Sequence, residues 1–208
     1  MPKAALVIDY QNTHLTAARL FCPNKPYYEA LIDPVLYAKQ LERVKNANKR
    51  ISDESNIEIT HIEVFRGLPL AAKDPSANSR NIQQKRNWEA AAKELSIELQ
   101  VMHRNLKYYE DGSVSEKGVD VMCALALVRL SSGSQYDTVI LSSRDTDLCP
   151  ALEEANRMGS SRIEAVKWVD DSNRSSWGSL KPDFKMWTTQ LYREDFLKCI
   201  DPRDYSDA

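Results

Sequence analysis

Four aspartates stand where the sequence changes from apolar to polar, and their carboxylates are the groups best placed to do chemistry. Asp9 follows one short apolar run, and Asp145 and Asp147 follow another. Asp120 lies between two valines at the start of an apolar stretch. Two carboxylates about 4 Å apart repel by roughly 4 kcal/mol at an effective dielectric near 20. If these acids converge, they must therefore raise their pKa values or bind a cation.

The residue types indicate which cation such a cluster would bind. The histidines His14, His61 and His103 are scattered, and no CxxC pair is present, so a zinc site is not favoured. Carboxylate oxygens are the ligands of Mg²⁺ and Mn²⁺. Mg²⁺ takes few protein ligands and keeps bound water, which suits hydrolysis of a phosphodiester. The sequence therefore predicts a Mg²⁺ or Mn²⁺ site if the four aspartates meet.

Each aspartate also has an ordinary structural interpretation. Asp9 and Asp147 can cap helices, Asp120 can complement a helix dipole, and Asp145 can bond to its own backbone in a turn. These interpretations do not explain why the acids recur at element ends that one sheet would bring together. Both interpretations stay open at this point.

Strands and helices alternate along the chain, and this alternation positions the acids. Strands are predicted at residues 4–8, 57–65, 97–103, 138–142 and 162–169, and helices at 34–50, 82–95, 119–130, 147–158 and 191–200. The order predicts an α/β fold with a doubly wound, Rossmann-like and mainly parallel sheet of about five strands, covered by helices on both faces. Such sheets bind ligands at the carboxyl ends of their strands, where Asp9 and Asp145 lie.

Composition restricts the classes of function. The 208 residues favour a single domain over residues 1–200, with a flexible tail at 201–208. The net charge is −2, so nucleic acid would have to bind through a local basic patch. The widely spaced cysteines predict reduced thiols and a cytoplasmic protein. We expect no membrane segment, because no window of about 18 uncharged apolar residues is present.

Three short blocks resemble the motifs of the NYN domain, a branch of the PIN-like nuclease superfamily. Residues 7–12 (VIDYQN) resemble its opening hydrophobic-Asp-x-x-Asn element, and residues 117–121 (KGVDV) match its K-G-V-D-V block. Residues 143–148 (SRDTDL) resemble its S-G-D-S-D-F block. The blocks occur in the family's order, and the resemblance covers roughly residues 4–169.

The resemblance implies a PIN-like fold and a Mg²⁺- or Mn²⁺-dependent nuclease, usually acting on RNA. By match to the motifs, the catalytic and metal-binding carboxylates would be Asp9, Asp120 and Asp145, with Asp147 as a further acid, direct or through water. Asn12 and Ser143 would orient the substrate or a metal-bound water. The partner would be single-stranded or structured RNA, and a homo-oligomer stays open.

Two departures from the family pattern leave a second function open. Many members carry Gly where this chain has Arg144, and often a second Asp where it has Ala126. Arg144 could contact a phosphate or crowd the pocket, and the missing acid could weaken metal binding. The alternative is a catalytically weak RNA-binding or regulatory module on the same fold.

Basic residues near the acids are candidates for phosphate contacts, which position a nucleic acid. Lys117 leads into Asp120, and Arg80 and Lys85 lie before or on the helix predicted at 82–95. We expect these three residues to bind the substrate, and the alternative for each is a solvated surface charge. A phosphatase with an aspartyl nucleophile is a third possibility, but it would require a second Asp where the chain has Gln11.

Overall fold

The apolar run at the start of the chain forms the central strand of a parallel sheet. The computed structural model describes residues 1–47, 56–173 and 178–205, and strand β1 spans Lys3–Asp9. From Ala4 to Ile8 the side chains are at most 1% exposed. They are buried because strands pair with both edges of β1 and helices cover both faces.

Five more strands complete this sheet, and two short ones form a separate hairpin. The sheet strands are β2 (Glu58–Leu68), β3 (Glu98–Asn105), β6 (Thr138–Ser142), β7 (Arg162–Trp168) and β8 (Trp187–Leu191), and the hairpin strands are β4 (Lys107–Tyr108) and β5 (Val114–Ser115). The sheet order is β3-β2-β1-β6-β7-β8, and all neighbouring strands are parallel. Strand order reverses between β1 and β6, so their carboxyl ends form the crevice in which such sheets bind ligands.

Helices cover both faces of the sheet. They are α1 (Tyr10–Phe21), α2 (Pro34–Ala47), α3 (Pro75–Glu94), α4 (Val119–Ser132), α5 (Cys149–Met158) and α6 (Arg193–Leu197), with single 3₁₀ turns at Tyr27–Ala30 and Thr146–Leu148. Leu6 and Ile8 share an apolar cluster with α1, α2, α3 and α6, whereas Ala5 and Val7 share another with α4 and α5. The predicted doubly wound α/β architecture is therefore confirmed.

The sheet has one strand more than predicted. Strand β8 lies after the strand predicted at 162–169 and ends at the first residue of the helix predicted at 191–200, and the helix that forms there is α6. In β8 only Thr189 and Leu191 are buried, because this edge strand pairs with β7 alone. Such a strand lacks the continuous apolar run that identifies β1. Helix α1 was also absent from the predicted elements.

One predicted helix begins earlier in the structure, and another extends to the limit of the described residues. Helix α3 begins at Pro75, seven residues before the predicted start, because Asp74 caps it by accepting the N–H of Ala77 at 2.9 Å. Helix α2 matches its prediction up to Ala47, and residues 48–50 lie outside the described residues.

The C-terminal segment packs against the body of the protein. Asp201 and Tyr205 are 7% and 6% exposed. Trp88 Nε1 and the Tyr205 hydroxyl donate to Asp201 Oδ2 at 2.6 and 2.8 Å, and Arg203 donates to Asp33 Oδ2 at 2.7 Å. We name these five residues the C-terminal clamp. The predicted flexible tail is therefore wrong for residues 201–205, and residues 206–208 lie outside the described part.

Two further expectations from composition can be compared with the structure. All four cysteines are free thiols, of which Cys123 and Cys199 are buried and Cys22 and Cys149 are half-buried. Among the helices of the described residues, none has both the length and the apolar composition that a bilayer crossing requires.

Candidate functional site

Asp9 lies at the junction of β1 and α1, where the strand order reverses. It is the last residue of β1 and caps α1, because its Oδ1 accepts the N–H of Asn12 at 3.2 Å. Its other oxygen accepts the hydroxyl of Ser143 at 2.9 Å, and the residue is 7% exposed. The cap uses one oxygen of Asp9, so capping and a role in the crevice are compatible.

The loop after β6 is fastened to the start of α1. Ser143 Oγ, which donates to Asp9, accepts the N–H of Asp145 at 3.1 Å. Asn12 Oδ1 accepts the N–H of Arg144 at 2.9 Å. Asp145 is half-buried, and its Oδ1 accepts the N–H of Asp147 at 3.0 Å. These bonds fix Asp145 beside Asp9 across the β1–β6 junction.

Asp120 reaches the same region from the start of α4. Gly118, the residue that precedes α4, has φ of 76°, a left-handed conformation that glycine adopts without steric cost. This conformation turns the chain from the hairpin into α4 and places Asp120 in the first helical turn, exposed to solvent. Arg104 Nε donates to the carbonyl of Lys117 at 3.4 Å, which supports this turn from β3.

The charges of these aspartates act on one another. Burial raises the pKa of Asp9, and the negative charges of Asp145 and Asp120 raise it further. The hydrogen bonds from Asn12 and Ser143 act in the opposite direction. Three of the four predicted acids, Asp9, Asp120 and Asp145, therefore lie near enough to the crevice for the charges of Asp120 and Asp145 to act on Asp9. The carboxylate of Asp147 is exposed and makes no hydrogen bond or ion pair with any residue that the structure describes.

Glu116 is a fourth acid in this region that sequence reasoning missed. Burial raises its pKa, and the charges of Asp9 and Asp120 add to the rise. Its carboxylate accepts the N–H of Gly67. When the side-chain amide of Gln11 is oriented with its nitrogen toward Glu116, Gln11 also donates to this carboxylate at 3.2 Å. A Cβ at Gly67 would lie 2.6 Å from Glu116 Oε1, so glycine permits this contact.

The sequence did contain a signal for Glu116. It immediately precedes the KGVDV block at residues 117–121, but it does not follow an apolar strand, so a search for acids at strand ends passes over it. We name Asp9, Glu116, Asp120 and Asp145 the acidic site.

The acidic site contains hydrogen-bond donors but no internal cation. In the described part of the chain, none of its four carboxylates forms an ion pair with Lys, Arg or His. Other buried acids differ, since Glu63 pairs with Arg129 at 2.6 Å and Glu164 with Lys45 at 2.7 Å. A divalent cation would therefore remove an electrostatic cost that the protein does not remove by itself.

The donor set restricts how a metal could bind. Within residues 1–47, 56–173 and 178–205, no three His, Cys, Asp or Glu side chains lie close enough together to hold a metal ion by themselves. Mg²⁺ commonly binds through one or two carboxylates and keeps several waters. The acidic site fits an ion of this kind, with the remaining acids acting through water.

The structure places the other predicted site residues in different surroundings. Lys85 Nζ donates to the carbonyl of Val101 at 2.7 Å and pairs with Glu89 at 3.6 Å, so its donors serve the fold. Lys117 is exposed next to the acidic site, and Arg80 is half-buried on α3. Ser143 is 4% exposed, which favours positioning of Asp9 over contact with a substrate.

The positions that depart from the family pattern also have defined places. Arg144 is half-buried in the loop after β6. Ala126 is 1% exposed and belongs to the apolar cluster under α4, so no carboxylate enters the crevice from this position.

Comparison with known proteins identifies the family. The model of the NYN domain matches residues 3–173. No curated protein matches the chain. Among solved structures, the chain is similar to a protein of unknown function from Vibrio parahaemolyticus, with 13% identity, a TM-score of 0.46 and coverage of 91% of this chain and 93% of that one. Because the family match spans most of the sequence, including Asp9, Asp120 and Asp145, this chain belongs to the NYN-domain family within the PIN-like nuclease superfamily.

Proposed function

We propose that this protein is a ribonuclease that depends on Mg²⁺ or Mn²⁺ and hydrolyses phosphodiester bonds at the acidic site. The NYN family supports a nuclease, and the choice of metal and of RNA is our proposal. One observation carries it. Asp9 is buried at the reversal of strand order, the charges of Asp120 and Asp145 act on it, and no cation of the described residues pairs with it.

Asp9, together with Asp120 or Asp145, would hold the metal ion, and Glu116 would act on it through water. Bound there, Mg²⁺ or Mn²⁺ supplies Lewis-acid stabilisation of the charge that develops on the phosphate. Oxygen ligands without His or Cys support these two metals over zinc.

The residues around Asp9 hold it in place for this role. The Asn12 N–H and the Ser143 hydroxyl each bond one oxygen of Asp9, which limits rotation of the carboxylate. Since Ser143 also accepts the N–H of Asp145, one hydroxyl sets the positions of two acids. We therefore assign Asn12 and Ser143 as positioning residues, supported by hydrogen bonds that link β1, α1 and the loop after β6.

Hydrolysis adds a water oxygen to the phosphorus and breaks one P–O ester bond, and the leaving oxygen takes up a proton to become a hydroxyl. The attacking water loses a proton, and a carboxylate within reach can accept it. Asp145 is half-buried and Asp120 is exposed, so both can exchange protons with solvent after each turnover. Arg80, Arg144 and Lys117 would contact the substrate near the acidic site, as the sequence predicts.

Cleavage of labelled RNA tests the proposal. Purified protein is incubated with single-stranded RNA, structured RNA and single-stranded DNA in Mg²⁺, Mn²⁺, Ca²⁺ or EDTA. We expect cleavage of RNA in Mn²⁺ or Mg²⁺ and none in EDTA. Asp145→Asn removes a charged group of the acidic site and should slow cleavage by at least about a hundredfold.

A matched variant controls for nonspecific effects of an Asp to Asn change. Asp137 lies at the opposite end of the sheet, where it accepts the N–H of Lys3 at 2.7 Å. Asp137→Asn should cleave like the wild type. Undiminished cleavage by Asp145→Asn would point to a contaminating nuclease and would remove the support for the acidic site.

One observation favours a second function, an RNA-binding module without turnover. No three acids of the described residues form a direct metal cluster, and Ala126 replaces an acid that many family members carry. This function predicts that RNA binds but stays intact in both Mg²⁺ and Mn²⁺. The same experiment decides between the two, because measurable turnover excludes the binding module.

A further inference from the structure

A cleft of about 350 Å³ lies beside the acidic site, at the carboxyl end of β2. Its wall is built from α1, the end of β2, α3 and the β4–β5 hairpin, and its polar lining consists of Tyr10, Gln11, His14, Arg66, Asn81, Ser115 and Glu116. Glu116 belongs to both the cleft and the acidic site. A ligand in the cleft would therefore lie next to a group bound at the acidic site.

Arg66 is the cation of this cleft, and its position is fixed. The guanidinium lies over the Tyr10 ring at 4.5 Å and the Trp88 ring at 5.5 Å, and Nη1 donates to Gln84 Oε1 at 2.8 Å. These contacts hold the group before any ligand binds, so little conformational entropy is lost on binding.

Most of the hydrogen-bonding capacity of Arg66 is unused by the protein. A guanidinium presents a fork of N–H donors, and the described residues provide an acceptor to Nη1 alone. None of them forms an ion pair with Arg66, and burial lowers its pKa. A partly desolvated cation without an ion-pair partner is costly, and a phosphate matches its fork in both charge and geometry.

The neighbouring side chains leave the cleft with one positive charge. Burial and the charge of Arg66 lower the pKa of His14 to about 4, so its ring is neutral at pH 7. His14 Nδ1 lies 3.1 Å from the carbonyl of Ala30, an arrangement in which a neutral ring donates from Nδ1. Among the described residues of the lining, Glu116 is the one acid, at the edge that the cleft shares with the acidic site. Of the described residues that line the cleft, Arg66 alone attracts phosphate by charge.

We infer that this cleft binds a phosphate group of the RNA strand, through the Arg66 guanidinium, next to the bond that the acidic site cuts. The inference rests on the proposed function. The phosphate has two possible sources, an internal phosphodiester and a 5′-terminal monophosphate. Both present the same oxygens to Arg66, so the length and end group of the probe must distinguish them.

Binding measured without turnover tests the inference. The probes are fluorescent single-stranded RNA oligomers of one sequence, with either a 5′-hydroxyl or a 5′-phosphate, titrated in Ca²⁺ at several salt concentrations. Arg66→Gln should weaken binding about tenfold or more, because a charge-assisted contact is lost. The slope of log K against log salt should become shallower by about 0.7, the value for one phosphate contact on a single strand.

Two further variants test whether the weaker RNA binding of Arg66→Gln has a cause other than the loss of the guanidinium. Arg157 is an exposed residue near the end of α5, and Arg157→Gln should leave affinity and slope unchanged. If Arg66→Gln does not fold, Ser115→Asp places a negative charge in the cleft without touching the stack on Tyr10. It should weaken binding by a similar factor, and unchanged binding would overturn the inference.

The probes also distinguish the two sources. If the cleft takes a terminal phosphate, wild-type protein prefers the 5′-phosphorylated oligomer and Arg66→Gln loses that preference. If it takes an internal phosphodiester, the wild type binds both oligomers equally and Arg66→Gln weakens both.

Cleavage in Mn²⁺, measured in parallel, separates this inference from the proposed function. If the wild type cleaves RNA and Arg66→Gln binds RNA as tightly as the wild type does, the phosphate site in the cleft is wrong and the proposed nuclease stands. Absence of cleavage in both metals, with weakened binding by Arg66→Gln, overturns the nuclease and leaves the phosphate site. Absence of RNA binding by the wild type overturns both.

Discussion

The C-terminal clamp and the acidic site both hold carboxylates inside the protein, but they treat the charge differently. In the clamp, Arg203 donates to Asp33 Oδ2 at 2.7 Å and to Asp201 Oδ1 at 3.0 Å, and the remaining oxygen of Asp201 accepts from Trp88 and Tyr205. In the acidic site, the charges of neighbouring carboxylates raise the pKa values of Asp9 and Glu116, and no cation of the described residues forms an ion pair with any of the four acids.

The difference separates a structural role from a functional one. The clamp satisfies its charges internally, so it contributes to folding wherever Arg203 and its carboxylate partners Asp33 and Asp201 are all charged. The acidic site keeps Asp9 buried among like charges, which costs stability and leaves affinity for an external cation. Proteins tolerate such costs at active sites when other regions are stable enough. The comparison thus predicts opposite responses to mutation.

The largest effect is expected in the clamp. Asp201→Ala removes the acceptor of Trp88 Nε1 and of the Tyr205 hydroxyl and leaves Arg203 with one carboxylate. Breaking a buried, hydrogen-bonded pair in this way should lower the free energy of unfolding by about 3 kcal/mol. Urea denaturation followed by tryptophan fluorescence measures it.

A variant of an exposed acid controls for the loss of one negative charge. Glu110 lies in the exposed turn of the β4–β5 hairpin, and Glu110→Ala should change the free energy of unfolding by less than about 0.5 kcal/mol. If Asp201→Ala proves equally mild, the clamp is not the stabilising region and the comparison fails on that side.

The next effect is expected at the acidic site when metal is added. A ligand that binds only the folded state at about 100 times its Kd stabilises it by about 2.7 kcal/mol. We therefore expect Mn²⁺ to raise the urea midpoint of the wild type by a corresponding amount, and to have far less effect on Asp9→Asn. Asp201→Ala starts from a lower midpoint but should gain the full increment.

That pattern would show that the two regions act independently, as expected for sites without shared partners. Equal gains by the wild type and Asp9→Asn would place the metal elsewhere and would contradict the proposed site.

The sequence predicts the parts of the site that follow from topology. An apolar run buried on both faces identifies β1 and β6, and parallel strands must bring Asp9 and Asp145 to one edge. Asp120 was predicted because an acid between Val119 and Val121 is unusual at the start of an apolar helix. In each of these cases, the local pattern and the long-range arrangement agree.

Other parts depend on contacts that no local pattern records. Glu116 joins the acidic site because Gly67, 49 residues earlier, lets it approach the backbone of β2. Asp201 is buried because Trp88, 113 residues away, donates to it, although the surrounding sequence is polar. The ammonium group of Lys85, a predicted substrate contact, donates to the carbonyl of Val101, which the local sequence does not indicate. Each depends on a partner that is distant in sequence.

The smallest effect concerns the pH dependence of stability without metal. The pKa values of Asp9 and Glu116 are raised in the folded state, so the folded protein holds protons that the unfolded chain has already lost. The contribution of these two groups to stability therefore falls as pH rises from about 4 through the raised pKa values, by about 1.4 kcal/mol for each unit by which a pKa is raised. Asp9→Asn removes one of these two groups, and it also removes one of the charges that raise the pKa of Glu116.

Relative to the wild type, Asp9→Asn should become steadily more stable as pH rises from about 4 through the raised pKa values, and the difference should then level off. Urea midpoints measured in EDTA at constant ionic strength give this difference directly, and titrations common to both proteins, such as those of His61 and Glu63, cancel in it. A difference that stays constant with pH would mean that Asp9 is not strained by its neighbours. The acidic site would then be no different in kind from the clamp, and its need for a cation would lose its physical basis.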